Sequence, residues 1–261
     1  MGAPRAIILM YHRLGVPLLP DEKDYALSRD LFESHLHEIA QARREVVSLA
    51  AIGEGTFADG SVAVTFDDGY ESDALAAAPL LRARGWGGAF FVSALKVGGA
   101  GYASWPQLRG MADSGFLVGS HGLDHSLLDD LPEVEVRRQV IESKARIEEA
   151  LGRSVHAFAL PGGSGGERAR RIAFEAGYSQ VLGSRPGLIR GRPGSSILPR
   201  MSMRRHLKME KFRGLLACRP LGMLGRSLRY RALARVRRIL GDNSYARLRQ
   251  IWWNLPFQDD D

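Results

Sequence analysis

The sequence predicts an α/β fold of parallel strands wound by helices, and three observations carry that prediction. Short apolar runs alternate with longer stretches of helical periodicity through most of the chain. The connections are brief, and glycine closes several helical stretches, as at Gly85, Gly115, Gly152 and Gly177. The 261 residues, 45% of them hydrophobic, suffice for one substantial core. About six or seven strand–helix units of this kind form either an open doubly wound sheet or a barrel.

The elements follow in order. Ala6–Met10 is the first buried strand. Ser28 caps a helix over Leu31–Arg43, with Phe32, Leu36 and Ile39 on one face and His35 and His37 expected at the surface. Val62–Phe66, short and β-branched, is the second strand, followed by a helix over Ala74–Arg84 and a strand over Ala89–Val92. Ser104 caps a short helix from Trp105 to Ser114, and Phe116–Ser120 is again a strand. Pro132–Leu151 is the longest helix. Val155–Leu160 is a strand, Glu167–Ala176 a helix and Gln180–Leu182 a strand. Gly162–Gly166 and Arg185–Ser196 read as loops. After about residue 205 the pattern changes to basic helices, which divides the chain into a domain over 1–204 and a tail over 205–261.

The net charge of +7 is unevenly spread: residues 200–258 carry +13, whereas residues 1–199 carry −3. One cysteine, Cys218, excludes an internal disulfide and fits a reducing compartment. The first apolar run is about five residues, too short for a signal-peptide core. No stretch approaches the ~20 apolar residues of a membrane span. A cytoplasmic location is the expectation.

Two motifs carry chemistry. Thr65-Phe66-Asp67-Asp68-Gly69 places adjacent carboxylates at the C-terminal end of a strand, where α/β folds assemble their sites, and Gly69 lets the chain turn away. An acidic turn is the plainer reading of that motif alone. Ser120-His121-Gly122-Leu123-Asp124-His125 places two imidazoles four residues apart after another strand, a spacing that lets both reach one ion. Two surface histidines in a polar loop would look the same. Taken together, both motifs project to one face of the sheet. One Asp and two His make a three-ligand site with positions left for water or substrate, and the other Asp becomes a candidate base. Such donors suit zinc, and also nickel, cobalt or iron.

These motifs, with Phe158-Ala159-Leu160-Pro161-Gly162-Gly163, resemble the successive motifs of the polysaccharide deacetylases, the NodB-homology proteins of carbohydrate esterase family four. The resemblance covers roughly residues 6–200. It implies a distorted, incomplete (β/α) barrel, here with a basic helical C-terminal extension. It also implies a divalent metal, zinc foremost, held by Asp68, His121 and His125, with Asp67 as the general base that takes a proton from the attacking water. The backbone N–H of Gly162, after Pro161, would stabilise the oxyanion.

Two departures stand out. The family's orienting arginine, two residues before the proline, is replaced by Ala159, which leaves the partner of Asp67 unidentified. The family's late histidine is absent from Ile197-Leu198-Pro199-Arg200-Met201. His12, ending the first strand, takes its place as candidate general acid, as in relatives where that motif is permuted to the N-terminus. Its plainer reading is a structural histidine. Arg200 is a candidate for binding a sugar or phosphate oxygen, or for a structural ion pair. Trp105 is a candidate sugar-facing wall or a core tryptophan.

Leu221, Leu224, Leu228, Leu233, Val236 and Leu240 recur at helical spacing between arginines, with Trp252 and Trp253 beyond. Such a segment packs on the barrel or lies on an anionic membrane surface, and no motif supports nucleic-acid binding. The expected function is removal of the N-acetyl group from an amino sugar in a polysaccharide or lipid-linked precursor, by an enzyme peripheral to the inner face of the membrane. Hydrolysis of another acyl or formyl amide or of an ester, and non-catalytic glycan or membrane binding, are the alternatives.

Overall fold

The computed structural model describes residues 2–19, 22–219 and 225. Among these residues nine strands form one sheet that nearly closes into a barrel. They are β1 (Arg5–Tyr11), β2 (Ser61–Phe66), β3 (Ala89–Val92), β4 (Leu117–Ser120), β5 (Ala157–Ala159), β6 (Gln180–Leu182), β7 (Ile189–Arg190), β8 (Ile197–Leu198) and β9 (Met201–Ser202). The order is β7-β1-β2-β3-β4-β5-β6-β8, with β9 added beside β1. All pairings are parallel except β1 with β7. The barrel expected from the motifs is therefore the observed architecture.

The strands are apolar on both faces because both faces are covered. Ile7, Leu9, Val62, Val64, Phe66, Phe90, Val92 and Phe158 face the surrounding helices. Their alternating neighbours Ala6, Ile8, Ala63, Ala89, Phe91, Ala157, Ala159 and Leu182 form a second, interior cluster. The interior is thus lined mainly by small side chains.

Among the described residues seven α-helices surround the sheet: α1 (Arg29–Gln41), α2 (Leu49–Glu54), α3 (Ala78–Arg82), α4 (Trp105–Asp113), α5 (Glu133–Leu151), α6 (Gly166–Glu175) and α7 (Met209–Leu216). Ser28 caps α1 by accepting from the Leu31 N–H at 3.2 Å. Ser104 and Gln107 form a reciprocal capping box on α4. α2 went unread in the sequence. It lies between a Ser48 cap and a left-handed Gly55, and it tucks Leu49 and Ile52 into the interior cluster. The helix expected over Ala74–Arg84 instead opens with a π-turn over Asp73–Ala77 before α3 begins.

Two further readings need correction. β7 lies in the Arg185–Ser196 stretch read as loop, and β8 and β9 beyond it are not anticipated by the sequence, because strands of two residues carry no detectable periodicity. His35 is fully buried rather than at the surface. Its Nδ1 pairs with the Tyr11 hydroxyl at 3.2 Å, and its ring stacks on Phe212 of α7 at 4.0 Å. Burial lowers its pKa to about 4, so the ring is neutral and packs as an aromatic. α7 thereby joins the core, and the greater part of the basic tail, with the membrane-surface reading it carried, lies outside the described residues. No helix among the described residues is long and apolar enough to cross a membrane.

Register places the site. Tyr11 pairs with Phe66, so the next residues, His12 and Asp67, emerge at one level. Val92 pairs with Ser120 and Ser120 with Phe158, so His121 and Ala159 emerge together in the same way. Gly119 sits in β4 where a Cβ would lie 2.7 Å from the Phe91 ring and 2.8 Å from the Ala157 carbonyl oxygen. Gly119→Ala is therefore expected to cost about 1–3 kcal/mol, read as a lower urea midpoint. An unchanged midpoint would show that the sheet yields at this point.

Candidate active site

The two carboxylates of the Asp67-Asp68 pair leave the end of β2 in different directions. Asp68 has φ +77°, a left-handed conformation that Asp tolerates better than most residues, and Gly69 follows at φ +80°. A Cβ on Gly69 would come within 2.8 Å of Val92, so only glycine fits this turn.

Asp67 points into the barrel and meets Arg200. The guanidinium donates from Nη1 to Oδ1 at 2.7 Å and from Nη2 to Oδ2 at 2.6 Å, a bidentate pair with both residues buried. Arg200 is itself fixed: Nε donates to the Gly183 carbonyl at 2.8 Å, Nη1 reaches Thr65 Oγ1 at 3.3 Å, and its cation lies 5.6 Å from the Phe91 ring centroid. Burial pushes the Asp67 pKa up, but the charges of Arg200 and His121 and the arginine's hydrogen bonds more than offset this, holding the carboxyl at about 2. The expectation that Arg200 binds sugar or phosphate is corrected here. Each of its three guanidinium nitrogens donates to a protein acceptor and it has no exposed surface, so the structural ion pair is the reading observed, and it gives Asp67 the arginine partner that Ala159 does not.

Asp68 points the other way. Its Oδ1 lies 3.2 Å from His125 Nε2 and 3.5 Å from His121 Nε2. The ligating atoms of Asp68, His121 and His125 all fall within 4.8 Å of one another. His121 Nδ1 donates to the Ala159 carbonyl at 2.8 Å, which fixes the tautomer and leaves the Nε2 lone pair facing Asp68. Burial lowers the His121 pKa to about 4, keeping it in the neutral, ligating form. The buried Asp68 Oδ1 has no hydrogen-bond partner, an orphan that a cation would satisfy. The residues present therefore fit a divalent metal. Gln139 of α5 holds the histidine loop in shape, accepting from the Leu123 N–H at 2.8 Å and donating to Asp124 at 2.9 Å.

The remaining predicted residues are placed as follows. His12 stands beside the pair: it feels the charges of Asp68 and Asp67, and burial lowers its pKa. Its ring packs 4.8 Å from Tyr25, and its buried Nδ1 is unpartnered. Pro161–Gly163 form a single tight turn after β5, with Gly162 exposed at φ +57°. Trp105 opens α4 and packs, half-buried, against the main core.

One acid escaped sequence reading altogether. Asp73, the first residue of the π-turn, is fully buried with neither carboxylate oxygen hydrogen-bonded. Burial, and then the charges of Asp68 and Asp67, raise its pKa well above the ordinary value. Nothing in the spacing of Tyr70-Glu71-Ser72-Asp73 marks it out, since a π-turn rather than an α-turn sets its direction. A carboxyl raised on folding contributes stability that is present below its unfolded pKa and lost as pH rises through the folded value. Asp73→Asn is thus expected to gain stability over the wild type as pH rises from 4 to 7 in chelating buffer. Urea unfolding at the two pH values checks this, and a pH-independent difference would contradict it.

Comparison with known proteins agrees with this geometry. Residues 54–181 match the polysaccharide deacetylase family. YxkH of Bacillus subtilis is 24% identical over 182 residues, covering 69% of this chain; the chain spans 64% of that relative's length. The deacetylase PplD of Streptococcus pyogenes superposes with a TM-score of 0.73 at 21% identity, covering 84% of this chain and all of its own. IcaB of Ammonifex degensii superposes with a TM-score of 0.70 at 27% identity, covering 83% of this chain and 97% of its own. Over residues 54–181 the chain is thus similar to the polysaccharide deacetylase family, and the barrel built around them has the fold of these solved deacetylases.

Proposed function

We propose that the protein is a metal-dependent deacetylase that hydrolyses the N-acetyl group of an amino sugar within a glycan. The observation that carries this reading is the division of labour in the Asp-Asp pair: Asp67 is ion-paired to Arg200, while Asp68 shares a cradle with His121 and His125. PplD, a deacetylase of the same fold, has been solved in complex with acetate, the product such a reaction releases.

Asp68, His121 and His125 would hold the ion, zinc by the preference of two imidazoles and a carboxylate. When bound, a divalent ion lowers the pKa of water and polarises the acyl carbonyl. Asp67 receives the proton of the attacking water on a carboxylate oxygen, and Arg200 keeps that carboxylate ionised and correctly aimed. The Gly162 N–H, on the exposed turn after β5, donates to the developing oxyanion. His12 delivers a proton to the departing amine, and its burial makes the charged ring a readier donor.

Acetate release from N-acetylated oligosaccharides, measured alongside bound metal, tests the assignment. Asp67→Asn is expected to lower kcat by about 10²–10⁴-fold with metal content retained. Asp68→Asn should lower metal content itself. Equal activity in the wild type and both variants would remove the assignment.

Arg200 is a positioning residue with its own signature. Without it, the largest influence lowering the Asp67 pKa is gone and burial raises it, so the acid limb of the kcat/KM profile should move to higher pH in Arg200→Met. Arg200→Lys keeps the charge but loses the bidentate grip, and should fall between the wild type and Arg200→Met. A lower rate with an unmoved acid limb would assign Arg200 to folding alone.

A further inference from the structure

A cleft of about 500 Å³ opens beside the site, at the C-terminal ends of β5, β6 and β8. α6 walls it on one side and residues 183–185 and 195–199 on the other. Its relation to the reacting groups is close. Leu160 in its wall precedes the Pro161-Gly162 turn. Pro199 precedes Arg200, and the carbonyls of Gly183 and Arg185 accept from Arg200 Nε at 2.8 Å and from its backbone N–H at 3.0 Å. The hydroxyl of Ser184 in its lining meets only the Met10 sulfur, at 3.8 Å, two residues before His12.

The cleft carries an uncompensated positive charge. Arg170 donates to Glu167 at 2.6 Å and to the Ser195 carbonyl at 2.9 Å. Arg185 is exposed, and among the described residues its side chain forms no ion pair or hydrogen bond. That sets it apart from the arginines of α5 and α6 nearby: Arg137, Arg138, Arg146 and Arg171 are each paired with a glutamate. A free guanidinium at the edge of a cleft large enough for a sugar ring, next to an amide-hydrolysing centre, suits an anionic substrate group.

We propose that this cleft is a subsite for an acidic sugar of the glycan, whose carboxylate or phosphate pairs with Arg185 while the neighbouring N-acetylated sugar occupies the reacting centre. The inference rests on the deacetylase reading for the neighbour's identity. Arg170 stays with Glu167, so Arg185 sets the preference. The apolar wall of Leu160 and Pro199 receives the ring's C–H surface. The substrate class is therefore an acidic rather than a neutral N-acetylated glycan.

Calorimetric titration of the metal-loaded protein with three probes tests this: a neutral N-acetylglucosamine disaccharide, an N-acetylated disaccharide carrying a uronate, and an N-acetylhexosamine phosphate. At low salt one or both acidic probes should bind about tenfold tighter than the neutral one, and which of them does so identifies the anion. The difference should vanish in Arg185→Ala, reverse in Arg185→Glu and return in Arg185→Lys. Deacetylation of the neutral probe should change less than about twofold in these variants. Equal affinity for all three probes, no binding of either acidic probe, or a preference that survives Arg185→Glu overturns the proposal. Binding is read independently of acetate release. An Arg185-dependent preference without any turnover would sink the catalytic reading and leave the subsite standing.

Discussion

The buried, bidentate pair between Asp67 and Arg200 is the interaction on which the rest of the site depends. Neither partner is tolerable alone in a closed interior, because an unpaired buried charge costs several kcal/mol. The pair also joins distant parts of the chain, since 133 residues separate its members. Arg200 sits between β8, which pairs with β6, and β9, which pairs with β1. The segment that nearly closes the barrel is thus the segment that delivers the guanidinium. Forming the sheet's last contacts and aiming the candidate base are one structural event.

The barrel makes room for this. The interior cluster includes Ala63, Ala89, Ala157 and Ala159, and Phe91 within it offers its ring to the Arg200 cation. A small residue at 159 serves twice. Its side chain leaves interior space, and its carbonyl holds His121 Nδ1. The loss of an arginine at that position therefore does not weaken the site. Orientation of the candidate base has passed to the segment between β8 and β9, while position 159 holds His121 through its backbone carbonyl.

The fold and the cradle were legible in the sequence for local reasons. Val62–Phe66 followed by Asp67-Asp68-Gly69, and a strand followed by Ser120-His121 and His125, each carry their meaning within a few residues. Strand direction and parallel pairing then bring the two together. What escaped reading is non-local or set by geometry that composition does not encode. The sequence leaves Arg200 between substrate binding and a structural ion pair, because the strands on either side of it are two residues long and its partner Asp67 lies 133 residues away. His35 looked exposed because its cover, Phe212, arrives from far along the chain. Asp73 was hidden by a π-turn in a stretch with ordinary helical periodicity.

Three carboxyl groups in one neighbourhood are thereby set to three different states by their surroundings. Asp67 is held ionised to about pH 2 by a permanent cation. Burial pushes Asp68 up, but His125, His12 and His121 outweigh it and keep the carboxyl below its ordinary value, with Oδ1 open to a further positive partner. Asp73 has burial and two anionic neighbours against it, which outweigh Arg13 and the Tyr70 backbone and raise its pKa well above the ordinary carboxylate value. A third anion would raise the negative potential around the cradle and draw charge from Arg200. With its pKa raised, Asp73 is the least ready of the three to add negative charge beside Asp67 and Asp68. The same residue type thus takes three different settings, and the difference lies in which cation, if any, each one meets.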